Sequence, residues 1–199
     1  MRSAFSLLAL GTTFVLTAAQ PMVTLTSIKA VDVARENKDQ WSLKGYVDDP
    51  TGTYVPLVDD IGLNVRLVDS NNVNISAVNF APSECNPLLN DKGTVCKVTG
   101  ARYTLRKINK LPKSAMISAQ KKHNKTSSES FYYKLSGVFR RQEFTATVAT
   151  PLTVIFAAGN VGTLAVTNTD CTEKDGAKST RYLCTPGAPT PAPTGGGKP

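Results

Sequence analysis

Aspartate pairs, a run of cations, four cysteines and a single histidine are the residues of this chain whose types and spacing bear on chemistry. Asp48 and Asp49 close one alternating apolar stretch and Asp59 and Asp60 open the next. The connection from Pro50 to Val58 would then bring both pairs to one end of a sheet. Four carboxylates so placed would suit calcium, which takes about six to eight oxygen ligands. The competing reading is that aspartate is an ordinary turn former, and the D-x-D-x-D-G calcium loop is absent.

Charge is divided along the chain. Gln20 to Cys96 holds six basic and ten acidic residues, whereas Lys97 to Arg141 holds twelve basic and one acidic. Within the basic stretch, Lys97, Arg102, Arg106, Lys107, Lys121, Lys122, Arg140 and Arg141 would form a polyanion-binding surface if they shared a face. Extracellular nucleic acid, acidic polysaccharide and anionic lipid headgroups are the candidate ligands, with Tyr103, Phe131, Tyr132 and Tyr133 available for stacking. Against this stands the alternation of a strand, which sends successive side chains to opposite faces and so forces some of these charges apart. Lysines also keep edge strands soluble.

The even cysteine count points to two disulfides in an oxidising compartment. Sequential pairing, Cys85 with Cys96 and Cys171 with Cys184, closes two short loops beside strands. A zinc site made of all four is the rival, and it lacks the C-x2-C spacing. Catalytic signals are few. His123 sits in the polar basic run Lys122-His123-Asn124-Lys125-Thr126, where solvation is its default state. No G-x-S-x-G, H-E-x-x-H or phosphate-cradling glycine loop occurs. A carboxylate pair drawn from Glu84, Glu129 and Glu143 could hydrolyse a glycosidic bond, but only at a separation that sequence does not supply. Asn74-Ile-Ser76 and Asn124-Lys-Thr126 fit the glycosylation sequon.

The elements that must hold these residues alternate with period two. Trp41, Leu43, Gly45 and Val47; Ile61, Leu63, Val65 and Leu67; Val73, Ile75 and Ala77; Phe131, Tyr133 and Leu135; Phe144, Ala146 and Val148; and Leu152, Val154 and Phe156 each interleave with polar residues. Turn signals separate them at Asp49-Pro50-Thr51-Gly52, Asp69 to Asn72, Asn90 to Gly93, Ala158-Gly159-Asn160 and Asp175-Gly176. No stretch of ten residues carries a helical stripe, and Ser114 to Gln120 fits either a short helix or a strand. The pattern predicts an all-β protein, an antiparallel β-sandwich of immunoglobulin-like or jelly-roll-like arrangement with two disulfides.

Residues 1–19 read as a secretory signal, with Arg2, an apolar stretch from Ala4 to Leu16 and small residues Thr17-Ala18-Ala19. Residues 20–184 form the expected single domain, and 185–199 a tail rich in proline, glycine and threonine, either a linker or a disordered end. These readings converge on a secreted, extracytoplasmic or surface-associated module acting by binding or as a structural component. It carries no transmembrane segment after the signal and needs no cofactor. The polyanion binder is its competitor among binding proteins, and a carboxylate-dependent glycoside hydrolase its competitor among enzymes.

Overall fold

Eleven residues from Asp39 to Asp49 show the rule that builds the molecule. Trp41, Leu43, Gly45 and Val47 are buried, while Gln40 and Lys44 between them are exposed. The same alternation extends through β8 (Phe131–Gln142), whose Tyr133, Leu135 and Phe139 turn inward. The computed structural model describes residues 21–35, 38–112, 131–158 and 163–187. The expected signal at 1–19, the ambiguous stretch Ser114 to Gln120, Gly159, Asn160 and the part of the expected tail from 188 onward lie outside the described residues.

Two antiparallel sheets pack face to face. The first contains β1 (Met22–Val33), β2 (Asp39–Asp49), β5 (Cys85–Pro87), β6 (Gly93–Val98), β7 (Ala101–Ile108) and β8, with β11 (Asp170–Gly176) and β12 (Ser179–Thr185). Its order is β11-β12-β1-β2-β8-β7-β6-β5. The second, β10-β9-β3-β4, is made of β3 (Leu63–Val68), β4 (Asn74–Phe80), β9 (Leu152–Ala157) and β10 (Thr163–Asn168). The fold class expected from the alternation is therefore the one observed. Strand order, which alternation does not contain, emerges as eight strands against four.

Between the sheets lies an aromatic core. Trp41 stacks on Phe139 with ring centroids 3.8 Å apart, and Phe80 of the smaller sheet packs against both Phe139 and Tyr103. Phe156 meets Tyr103 from the same side. Trp41 also donates its indole N–H across the interlayer to Ser76 Oγ at 3.1 Å, and that hydroxyl donates on to Gln142 Oε1. A tryptophan is thus buried without leaving its one donor unpaired.

Three local readings differ from the structure, each for a physical reason. Tyr54–Ile61 forms a helix, α1, where a loop and the start of a strand are expected. Its buried residues Tyr54, Val55 and Val58 follow helical spacing, over too few turns to be legible as a stripe. Gly62 ends it at φ 79°, a left-handed conformation that glycine adopts without a Cβ clash, and donates to the Val58 carbonyl. In β4 a register irregularity opposite Leu67/Val68 turns Ser76, Val78 and Phe80 inward and leaves Ala77 exposed. Phe144, Ala146 and Val148 alternate as a strand would but join neither sheet. Asp39 Oδ2 holds the Phe144 amide at 2.8 Å, and Thr145 alone bonds across to the β4 backbone at Ile75.

The larger sheet extends beyond the smaller, because β10 lies against β1 and β4 against β6. All but one of the residues of β11 are exposed, as are Asn86 and Pro87 of β5. Each of these outermost strands is fastened to the next by a disulfide between directly opposed residues, Cys85 to Cys96 and Cys171 to Cys184. The sequential pairing is confirmed and the zinc alternative falls, since none of the four is a free thiol. Replacing Cys171 and Cys184 by serine should cost about 3 kcal/mol in urea unfolding. Amide exchange should accelerate in β11 and β12 while β2 and β8 keep their protection. A uniform acceleration across all strands would contradict this local role.

The core also contains two phenols, Tyr54 and Tyr103, whose hydroxyls face each other without a hydrogen bond of ordinary geometry. Burial pushes Tyr54 up to about 12; the Tyr103 contact opposes that rise and nearby Asp49 adds to it. Burial, and then Tyr54, drives Tyr103 well above the usual phenol value. Both phenols stay neutral in the fold, while the unfolded chain ionises near pH 10, so this contribution to stability is complete below that pH and is lost above it. Thermal unfolding followed from pH 9 to 12 should show a falling melting temperature, and Tyr54→Phe should flatten the fall. An unchanged alkaline slope in that variant would show that the phenols do not cause it.

Candidate polyanion-binding face

The inward turn of Trp41, Phe139, Tyr103 and Cys96 dictates what their neighbours do. On β6 and β7, Lys97, Arg102 and Arg106 point away from the core and are exposed. On β8, Lys134 and Arg140 do the same. Register then aligns them: Lys97 lies opposite Arg102, Arg102 opposite Val138, and Arg106 opposite Lys134. Lys44 on β2 faces out beside Ser136, and Lys29 on β1 faces out beside Ser42. Among the described residues of the six adjacent strands from β5 to β1, this outward face has one carboxylate, Asp48, at the end near Tyr132 and Met22. On β12 and β11, Arg181 and Lys174 stand opposite each other on the same outward face, where Asp170 is also exposed.

Of the eight cations read from the basic stretch, the fold brings Lys97, Arg102, Arg106 and Arg140 to one face. Lys107 goes to the other side, beside Tyr133, and its ammonium lies 4.8 Å from the Phe131 ring centroid, within cation–π reach. Arg141 occupies a left-handed φ of 56°, in the irregularity where β8 re-registers against β2, and leaves the row. Lys121, Lys122 and His123 lie outside the described residues. Of the aromatic residues set among these cations, Tyr132 faces out, whereas Tyr103 and Tyr133 are buried in the core. Two members of the face, Lys29 and Lys44, come from the part of the chain with net negative charge. The signal for Lys44 was present in the phase of β2: with Trp41, Leu43 and Val47 inward, Ser42, Lys44 and Tyr46 must be outward.

The four aspartates are not gathered. Asp48 and Asp49 project to opposite faces of β2, and Asp59 and Asp60 ride on α1. Asp49 is fully buried and builds the turn into the helix: it accepts from the amides of Gly52 at 3.0 Å and Tyr54 at 2.8 Å, and from the Thr51 hydroxyl. Asp59 accepts from Thr94 Oγ1 and so ties α1 to β6. Its pKa is raised by burial; the Thr94 bond works against that shift and neighbouring Asp60 adds to it. Among the described residues, no group of three or more histidine, cysteine, aspartate or glutamate side chains is placed to hold a metal ion.

Of the carboxylates considered for glycoside hydrolysis, Glu84 and Glu143 stand in different local settings. Glu84 Oε2 accepts from the Ala81 amide and caps the short turn Pro82–Glu84. Glu143 is exposed beyond β8, and Glu129 lies outside the described residues. A cleft of about 460 Å³ does open on the basic face, lined by Tyr46, Ile108, Lys110, Leu111, Pro112 and Lys134, and none of these is a carboxylate.

Comparison with protein-family models, with curated proteins and with solved structures returned no match. The chemistry of the face therefore rests on its own residues.

If Asp49 is the anchor of the turn, Asp49→Ala should destabilise the protein by about 2–4 kcal/mol, because three donors lose their acceptor. Asp60→Ala, at an exposed position, should change stability by less than about 0.5 kcal/mol. Urea unfolding of both variants, with calcium and with chelator, measures the difference. Similar small losses, or a loss at Asp49 that appears only with calcium, would remove the structural role assigned to it.

Proposed function

We propose that this chain is a secreted, non-catalytic β-sandwich that binds polyanions through the outward face of its larger sheet. One observation carries the reading: strand register puts Lys29, Lys44, Lys97, Arg102, Arg106, Lys134 and Arg140 on one exposed surface, and among the described residues of the six strands from β5 to β1 that surface has one carboxylate, Asp48, at its margin. Like charges directly opposite one another across strands are unfavourable, and Lys97 with Arg102 and Arg106 with Lys134 are two such pairs. A bound polyanion relieves that repulsion and releases its own condensed counterions. Secretion is supported by the leader-like residues 1–19 and by the two disulfides, which persist in oxidising surroundings.

The outward face of the smaller sheet supplies a contrast. Its Thr153 and Thr167 hydroxyls bond to each other at 2.8 Å, and Ile155, Ala157 and Ala165 lie around them. Arg66 is its one cation among the described strand residues. Charge is therefore gathered on one side of the sandwich, the condition for oriented electrostatic binding.

Immobilised heparin tests the reading. Wild-type protein should be retained at low salt, and Lys44→Gln, Arg102→Gln and Lys134→Gln combined should lower the log–log salt slope by about three. A control carrying Arg35→Gln, Lys38→Gln and Arg66→Gln removes the same net charge elsewhere and should keep the wild-type slope. Absence of wild-type retention, or equal losses in the two triple variants, would overturn the proposal.

A further inference from the structure

The cleft at one end of the basic face has a composition of its own. Tyr46 stands directly opposite Lys134 in the β2–β8 register, and Ile108 closes β7 beside Tyr132. The chain then turns over the sheet through Lys110, Leu111 and Pro112, and Leu111 is only 6% exposed although it lies beyond the last strand residue. One phenol ring and three aliphatic side chains therefore floor a shallow, open depression of about 460 Å³, with Lys110 and Lys134 beside them. An apolar lining with a few converging polar groups is the makeup of sites for small organic groups, and the open shape leaves room for a chain to continue beyond it.

The charged side chains of the lining are both cationic, two ammoniums, and its remaining polar side chain is the Tyr46 phenol. No carboxylate or carboxamide side chain is among them. A nucleobase edge presents donors and acceptors together; lysine can read the acceptors of guanine, but reading adenine or cytosine takes carboxamide or carboxylate side chains, which this lining lacks. A sugar carrying a carboxylate or sulfate makes simpler demands: an apolar surface for its C–H face and cations for its acid group. Neighbouring strands are about 4.8 Å apart, comparable to one pyranose unit of a linear chain, so a polymer seated here would meet Lys134 and then Arg106 on the adjoining strand.

We infer that this cleft is a subsite for one acidic sugar unit, with the rest of an anionic polysaccharide running onward across Arg106 and Arg102. The ring packs against Tyr46, Ile108 and Leu111, and its acid group lies between Lys110 and Lys134. This assignment rests on the polyanion reading and specifies its ligand class.

Titration calorimetry with a hexamer of polygalacturonate and with a single-stranded hexanucleotide tests it, beside the heparin retention of each variant. Tyr46→Ala should weaken the uronic hexamer about tenfold, leave the salt slope on heparin unchanged, and alter the oligonucleotide little. Tyr46→Phe should bind nearly as wild type. Lys110→Gln lies outside every strand and gives a second reading if Tyr46→Ala fails to fold: it too should weaken the hexamer several-fold. Unchanged hexamer affinity in Tyr46→Ala, or in Lys110→Gln where that variant is the one that folds, overturns the subsite while wild-type retention on heparin leaves the broader function standing. Tighter binding of the oligonucleotide than of the hexamer, with the same dependence on Tyr46, overturns the choice of sugar. Loss of wild-type retention removes both.

Discussion

The stack of Trp41 on Phe139 fixes which way the central strands face. These residues are register partners on β2 and β8, and Tyr103 on neighbouring β7 turns inward with them to meet Phe80 and Phe156 of the second sheet. Side chains of a strand alternate strictly, so a slip of one residue would bury Lys44, Lys134 and Arg102 and expose the aromatic core. Burying unpaired charges would cost far more than any loop rearrangement that prevents it. The outward orientation of Lys44, Lys134 and Arg102 is thus a consequence of packing on the opposite side of the same strands. The indole bond to Ser76 adds a directional constraint across the interlayer that dispersion alone lacks.

Much of this was legible in the sequence because period-two alternation is local. The inward sets of β2, β8 and β9 can be read directly, and sequential cysteine pairing follows from short loops in a β-rich chain. What could not be read is what depends on distant partners. Segmental charge counts point to Lys97 to Arg141, yet Lys29 and Lys44 join the face from the earlier, net acidic part of the chain. Arg141 and Lys107 leave it because of one irregular residue and one opposite phase. The apparent strand from Phe144 to Val148 shows the reverse limit: alternation signals a one-sided environment, and an extended segment laid against a core has the same pattern without a sheet partner. The cleft was invisible because Tyr46 and Leu111 meet only through the β2–β8–β7 order.

The acidic residues are put to structural use. Asp49, Asp39 and Asp69 each accept backbone amides at loops or strand ends: Asp49 at the turn into α1, Asp39 from Val33 and Phe144, and Asp69 from Asn71 and Val73. A carboxylate satisfied by amides is a fixed part of the scaffold, with little freedom to neutralise a lysine on the opposite surface. The net negative charge of Gln20 to Cys96 therefore does little to offset the outward cations once the chain folds. Acid is spent at the ends of strands, and base remains along their length.

The two disulfides sit at the extremes of the eight-stranded sheet, and this has a consequence for how the molecule meets copies of itself. An edge strand with free amides and carbonyls invites another chain to add to it, and the invitation grows when the edge peels back and exposes the strand behind. Cys85–Cys96 and Cys171–Cys184 prevent that peeling at both margins, so β6 and β12 cannot become new edges by fraying. Exchange that begins by peeling an edge strand of this sheet is thereby hindered. Copies of the broad sheet lying side by side are then less prone to zip into fibres through newly exposed strands.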